Sequence, residues 1–244
     1  NMSRYITLTV TNGAAIKLDF KAASAGTPIR IVSGSNTQDI TVGTDWYDGN
    51  SPSTFTVTAA ASTMTIYGDL MDFACSKNGA NLTALDPSHN TQLTELYCGE
   101  NTLSSLDVSK NTQLTRLDCQ YNKLSSLDVS KNTQLTWLYC YNNTLGNLDV
   151  SKNTQLDMLD CSSNTLSSLD VSHNTQLTRL DCSSNTLSSL DVSKNTQLQK
   201  LICHGNKFSA QALDDIYCAL PDRTSETNGV IQPVYSDTSS NHAV

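Results

Sequence analysis

The sequence predicts a solenoid of parallel β-strands with little helix, preceded by a β-rich, sandwich-like domain and closed by a C-terminal capping helix. Three observations predict it. Cys98, Cys119, Cys140, Cys161, Cys182 and Cys203 stand at a constant interval of 21 residues. Residues 1–67 hold short alternating runs of β-type residues between turn formers, and residues 208–221 carry an apolar stripe at helical spacing. The expected division is therefore a front domain at 1–67, a solenoid at 68–207, and a closing helix with its tail at 208–244.

In the front domain the strand-like runs are Tyr5 to Val10, Ala15 to Phe20, Ile29 to Val32, Asp39 to Val42, Thr54 to Thr58 and Met64 to Tyr67. Gly, Asn and Asp separate them, and Asp48-Gly49 is a hairpin-type turn signal, so a small antiparallel sandwich or barrel is expected. Its last strand leads straight into Leu70, which places the domain as a cap over the first open turn. Trp46 and Tyr47 lie beside Asp45 and Asp48. They suit either sugar binding or the anchoring of a loop, with anchoring preferred.

The repeat, written from one copy, is Leu114-x-x-Leu117-x-Cys119-x-x-Asn122-x-Leu124-x-x-Leu127-Asp128-Val129-Ser130-x-Asn132. A looser copy precedes the array, with Leu82, Leu85 and Pro87 before Leu93, Leu96 and Cys98, and Leu70, Phe73, Cys75 and Asn78 form a half-turn ahead of it. Twenty-one residues are too few for a strand, helix and strand. Alternation at Leu117-x-Cys119 turns both apolar side chains to one side of a strand. Stacked at roughly 4.8 Å, such turns bury a continuous core that no single copy could bury. The segment Leu124-x-x-Leu127-x-Val129 fits the same template, so either half of the turn is a candidate for the continuous sheet; the Leu-x-Cys half is favoured. Apolar residues are 38% of the chain, few for a globular core but sufficient where Leu fills a thin one.

After Asn206 the run Phe208 to Pro221 reads as an amphipathic helix with Ser209 as its N-cap and Pro221 as its stop. Leu213, Ile216, Tyr217 and Leu220 fall on one stripe and are expected to cover the last turn. Beyond it the chain is polar apart from one strand-like piece, Val230 to Tyr235.

These spacings resemble the leucine-rich-repeat pattern over roughly residues 70 to 207, with Cys in the third apolar place, and are most similar to the short internalin-type repeats. The resemblance implies that Asn101, Asn122, Asn143, Asn164, Asn185 and Asn206 hydrogen-bond backbone where each strand turns. It also implies that the strand face binds the ligand and that the protein is secreted or attached to a cell surface.

Copies within one chain can be compared directly. Ser-Ser-Leu-Asp-Val-Ser-Lys-Asn-Thr-Gln recurs almost letter for letter, whereas variation gathers beside Leu-x-Cys. The position before the second Leu reads Glu95, Arg116, Trp137, Met158, Arg179 and Lys200; the position before Cys reads Tyr97, Asp118, Tyr139, Asp160, Asp181 and Ile202. Both columns share one face. With Tyr121 and Tyr141 just past the cysteines, five aromatic rings are expected within three turns, and Arg116 is placed to lie over Trp137. The candidate contact residues are therefore Tyr97, Arg116, Asp118, Tyr121, Trp137, Tyr139, Tyr141 and Met158. The competing reading is that the rings only cover a sheet.

Other chemistries are weakly supported. The cysteine column lacks paired metal-site spacing and reads as small buried filler with free thiols. Asp86, Asp107, Asp128, Asp149, Asp170 and Asp191 form a carboxylate column that suits turn backbone better than calcium, with Lys110, Lys131, Lys152 and Lys194 offsetting charge. His89, His173, His204 and His242 share no motif and read as solvated, and neither a phosphate loop nor a nucleophile elbow is present. No enzymatic activity, metal or cofactor is expected. The net charge of −8 with 15 scattered basic residues argues against nucleic acid, and no run approaches the ~18 apolar residues of a membrane span. Beginning at Asn1, the chain reads as a soluble piece of a processed or longer protein. The expected role is a monomeric binding module for a protein or glycan ligand, the alternatives being a structural spacer or a carbohydrate-binding surface protein.

Overall fold

The computed structural model describes residues 3–46, 55–221 and 230–232. Tyr47, the Asp48-Gly49 turn, Thr54, residues 233–235 and His242 lie outside the described residues. The front domain contains β1 (Tyr5–Val10), β2 (Ala15–Lys21), β3 (Thr27–Ser33), β4 (Asn36–Val42), β5 (Phe55–Thr58) and β6 (Thr63–Tyr67). These match the six sequence-predicted runs to within a few residues. The array follows with β7 (Asp72–Ala74), β8 (Leu82–Asp86), β9 (Glu95–Tyr97), β10 (Arg116–Asp118), β11 (Trp137–Tyr139), β12 (Met158–Asp160), β13 (Arg179–Asp181) and β14 (Lys200–Ile202). It closes with α1 (Ala210–Ala219) and β15 (Val230–Gln232), which pairs in parallel with β14.

The Leu-x-Cys segments form the continuous parallel sheet. Leu96, Leu117, Leu138, Leu159, Leu180 and Leu201 lie in exact lateral register along it. Each of these Leu side chains, and each Cys two residues on, is at most 1% exposed. Burying one such Leu is worth about 1.5–3 kcal/mol, and it is buried only because the neighbouring turn covers it.

The Leu-Asp-Val half of each later turn is extended but is not a strand. Side-chain amides there replace the ladder. Asn143 accepts the Leu124 N–H at 2.9 Å and donates to the carbonyls of Cys119 and Cys140 at 3.0 and 3.1 Å. Asn132 donates at 2.9 Å to both Val108 and Asn111 carbonyls. Both arrangements repeat up the array, so two columns of buried Asn stitch adjacent turns together. The first column holds the turn positions that the family resemblance implied.

The two parts of the molecule share their sheets. β2 pairs antiparallel with β7 and β5 with β2, so front-domain strands extend the solenoid sheet to ten strands. Conversely β8, which takes the place of the Leu-Asp-Val segment in the first turn with Pro87 where Val stands later, pairs with β1 and completes a five-stranded sheet in the order β4-β3-β6-β1-β8. Phe20 lies 5.9 Å from Phe73 between ring centres, and one hydrophobic core runs from Ile6 to Ile216. The open first turn is thus closed by continuing both of its layers.

At the other end Ser209 caps α1 by accepting the Ala212 N–H at 3.1 Å. Ile216 is buried against the last turn, and Phe208, Ala219 and Leu220 pack partly against it. Tyr217 is a correction to the expected stripe, since its side chain is 48% exposed. The helix meets the last turn along a narrow line centred on Ile216, and the next residue, ~100° around the helix, points outward.

Candidate functional site

Four outward columns form the strand face, because residues 116, 118 and 120 alternate away from the core and the chain then turns at 121. That turn is left-handed in every copy: φ is 57° at Glu100, 48° at Tyr121, 51° at Asn142, 52° at Ser163, 53° at Ser184 and 67° at Gly205. Nothing in the sequence beyond Asn142 and Gly205 signals it.

Five of the eight predicted residues, Tyr97, Arg116, Trp137, Tyr139 and Met158, are joined by contacts, while Tyr121 and Tyr141 form a separate pair. On β11, Trp137 and Tyr139 stack at 6.1 Å, and Tyr121 meets Tyr141 edge-on at 5.4 Å. The Arg116 guanidinium lies 4.0 Å from the centre of the Trp137 ring, as the sequence suggested. It also reaches Glu95 at 3.5 Å, and Glu95 accepts the Tyr97 hydroxyl at 2.8 Å. At the other side the Tyr139 hydroxyl donates to the Met158 sulfur at 3.7 Å. Tyr97 stands two strands from Tyr139 and is connected to it only through Glu95, Arg116 and Trp137.

The sequence missed one member. Trp46, from the front domain, lies edge-on to Tyr97 at 5.7 Å and under the Lys21 ammonium at 4.4 Å. Lys21 in turn pairs with Asp72 at 3.2 Å, and Asp72 accepts the Thr94 hydroxyl at 2.7 Å. Trp46 therefore packs on the strand face and carries the contact chain from the front domain to Met158. Its distance in sequence from Tyr97 hid the link.

Asp118 and Asp160 flank Tyr139 in register on β10 and β12. Burial pushes both carboxyls up from the ordinary range, and at Asp160 the neighbouring Asp181 charge adds to it. Hydrogen bonds from Gln120 to Asp118 and from Ser162 to Asp160 oppose the shift. Burial, with Asp118 and Asp160 contributing, raises the Tyr141 hydroxyl to about 12. Ile202, expected to face outward, is only 7% exposed.

Away from this face, Asp107, Asp128, Asp149, Asp170 and Asp191 each accept the N–H of the Ser two residues on at 2.8 Å. Those bonds hold the carboxyls below the usual range, and the nearby Lys charges contribute less. Seven cysteines are free and buried, and Cys218 is free and exposed. His89 is exposed and stacks on Tyr5 at 4.2 Å. Among the described residues no group of three or more His, Cys, Asp or Glu is arranged to hold a metal ion. A groove of about 410 Å³ lined by Gln155, Asp157, Gln176, Thr178 and Gln197 runs along the flank and contains none of the predicted contact residues.

The same architecture occurs in proteins of known structure. An internalin of Listeria monocytogenes superposes with a TM-score of 0.52 at 23% identity, covering 54% of this chain and 40% of its own. The fold is that of the leucine-rich-repeat solenoids. Internalin C2 of the same organism gives 0.54 at 16% identity over 68% of this chain and 80% of its own. A leucine-rich-repeat protein of Leptospira interrogans gives 0.51 at 23% identity over 55% and 36%. The leucine-rich-repeat chain thus spans well under half the length of two of these three. No protein-family model and no curated protein sequence matches it.

Proposed function

We propose that the chain is a non-catalytic binding module that docks a partner protein on its strand face, secreted or at a cell surface, acting as a monomer. The unit is divided as 1–67, 68–207 and 208–244, with Tyr97, Arg116, Asp118, Tyr121, Trp137, Tyr139, Tyr141 and Met158 as the contact residues. The observation that carries this reading is the unbroken series of side-chain contacts from Trp46 to Met158. It fixes half-buried rings in place on the one surface whose residues vary between copies, while the rest of each turn is nearly invariant. Rigid aromatic side chains supply contact area at little entropic cost. No described helix is long and apolar enough to cross a membrane.

The test is a comparison of the immobilised chain with its Trp137→Ala/Tyr139→Ala and Asp128→Asn/Asp149→Asn variants against cell-surface protein extracts. A partner retained by the parent and by the second variant, and lost by the first, supports the binding face. Equal recovery by all three supports a spacer role and overturns the proposal.

A further inference from the structure

Resting on the binding-face reading, the structure points to what the partner contributes. Two cations close to the aromatic strip are already engaged. Lys21 pairs with Asp72 and covers Trp46, while Arg116 bridges Glu95 and Trp137. The carboxylates of Asp118 and Asp160 are not so engaged, since their bonding partners are local: Gln120 for one and Ser162 for the other.

They stand one strand to either side of Tyr139, so roughly 9.6 Å separates their strands. Between them stands Tyr139, stacked with Trp137 on its own strand, and the edge-on pair of Tyr141 and Tyr121 follows just past the cysteines. Tyr121 is 51% exposed on a left-handed backbone, a conformation that disfavours any residue but glycine or asparagine. These half-buried carboxylates keep acceptor capacity: the Arg179 charge reaches Asp160 and Tyr139, but Arg179 forms no ion pair with Asp160 among the described residues.

We propose that the partner inserts an arginine side chain onto Tyr139 and Tyr141, between Asp118 and Asp160. A guanidinium matches this setting on two counts: its plane stacks on a ring, and its edge donors meet carboxylates on both sides. The net charge of −8 draws a basic segment toward the chain. Arg179 and Lys200, in the first column of β13 and β14, form no ion pair among the described residues and repel a second cation there. They confine the guanidinium to β10, β11 and β12. A neutral glycan would leave the two carboxylate charges uncompensated.

The test titrates the full chain with a peptide of four arginines and with its four-citrulline counterpart, which keeps the shape and loses the charge. Binding is followed by the ring NMR signals of Tyr139 and Tyr141. The arginine peptide is expected to bind at least about tenfold more tightly than the citrulline peptide. That margin should disappear in Asp118→Asn/Asp160→Asn, which keeps the local acceptors, and persist in Asp128→Asn/Asp149→Asn, which removes as much charge elsewhere. Equal binding of both peptides, or equal loss in the two double variants, overturns the proposal. So does a neutral hexasaccharide of glucose that moves these signals when the arginine peptide does not. If the arginine margin is absent while Trp137→Ala/Tyr139→Ala still abolishes partner capture, the cation assignment fails and the binding face stands.

Discussion

Asn143→Ala and Asn132→Ala remove the same side chain from two columns of the same solenoid, and the structure separates their effects. Asn143 makes three buried bonds. Its amide donates to the Cys119 and Cys140 carbonyls, and its oxygen accepts the Leu124 N–H. The two carbonyls keep other donors, from Asn122 and Asn164, but the Leu124 N–H is left without an acceptor in a fully buried position. Three lost bonds at about 1 kcal/mol each and an orphaned amide at 1–3 kcal/mol make a loss on the order of 4 kcal/mol. Asn132 makes two bonds, to carbonyls that also accept backbone N–H groups from Asn111 and Leu114. Its own side-chain oxygen is buried and accepts from no protein donor, as is true of the equivalent oxygens of Asn90, Asn111, Asn153, Asn174 and Asn195. Deleting it loses about 2 kcal/mol of bonding but relieves a buried unpaired oxygen of similar cost, leaving a net loss of about 1 kcal/mol or less. Urea unfolding of the full chain by circular dichroism reads the midpoint shift, and amide exchange at Leu124 reads the local opening. Equal losses, or a larger loss for Asn132→Ala, would refute the assignment of the two columns.

Three further outcomes follow from the same geometry. Ser163→Gly and Ser184→Gly should each raise stability by up to about 1 kcal/mol, because both sit at left-handed φ, whereas Gly205→Ala should lower it by about as much; thermal melting checks the signs. An added Cβ at Gly205 also meets the Ser184 backbone nitrogen at 3.2 Å. A thiol reagent should label the native chain rapidly at Cys218 alone and reach all eight cysteines only on denaturation, since burial raises the ladder thiols out of their reactive range. The Asp128 column has depressed folded-state pKa values, so its contribution to stability is present above the ordinary aspartate pKa and lost as pH falls through the folded value. Asp128→Asn/Asp149→Asn should therefore flatten the acid limb of the stability curve. Asp118 and Asp160 carry the opposite sign, so their charged forms weaken the fold above their raised pKa values, and Asp118→Asn/Asp160→Asn should gain stability at neutral pH.

The array was legible in the sequence because its signal is local and repeated: Leu117-x-Cys119 states the side of the strand on which each residue lies, and six copies fix the register. Six front-domain strands were legible for the same reason. Their partners were not. That β2 joins β7 and β8 joins β1 depends on contacts between residues dozens apart, which alternation cannot specify. Trp46 was visible only as an aromatic in a turn-rich stretch, and its place against Tyr97 follows from that same junction. The unpaired oxygens of the Asn132 column were equally hidden, since both Asn columns read alike in one dimension. Tyr217 fell on the predicted apolar stripe yet faces solvent, because the last turn is too narrow a surface to cover a full helix face.

The claim that the strand face is the contact surface is tested most directly by photo-crosslinking. A benzophenone side chain placed at Met158, beside Tyr139, and in a separate protein at Asp128, on the invariant surface, would be irradiated with the partner captured from cell-surface extract. Covalent adducts from position 158 and none from 128 are the predicted result. Adducts from 128 alone would move the contact to the invariant side of the solenoid and contradict the account.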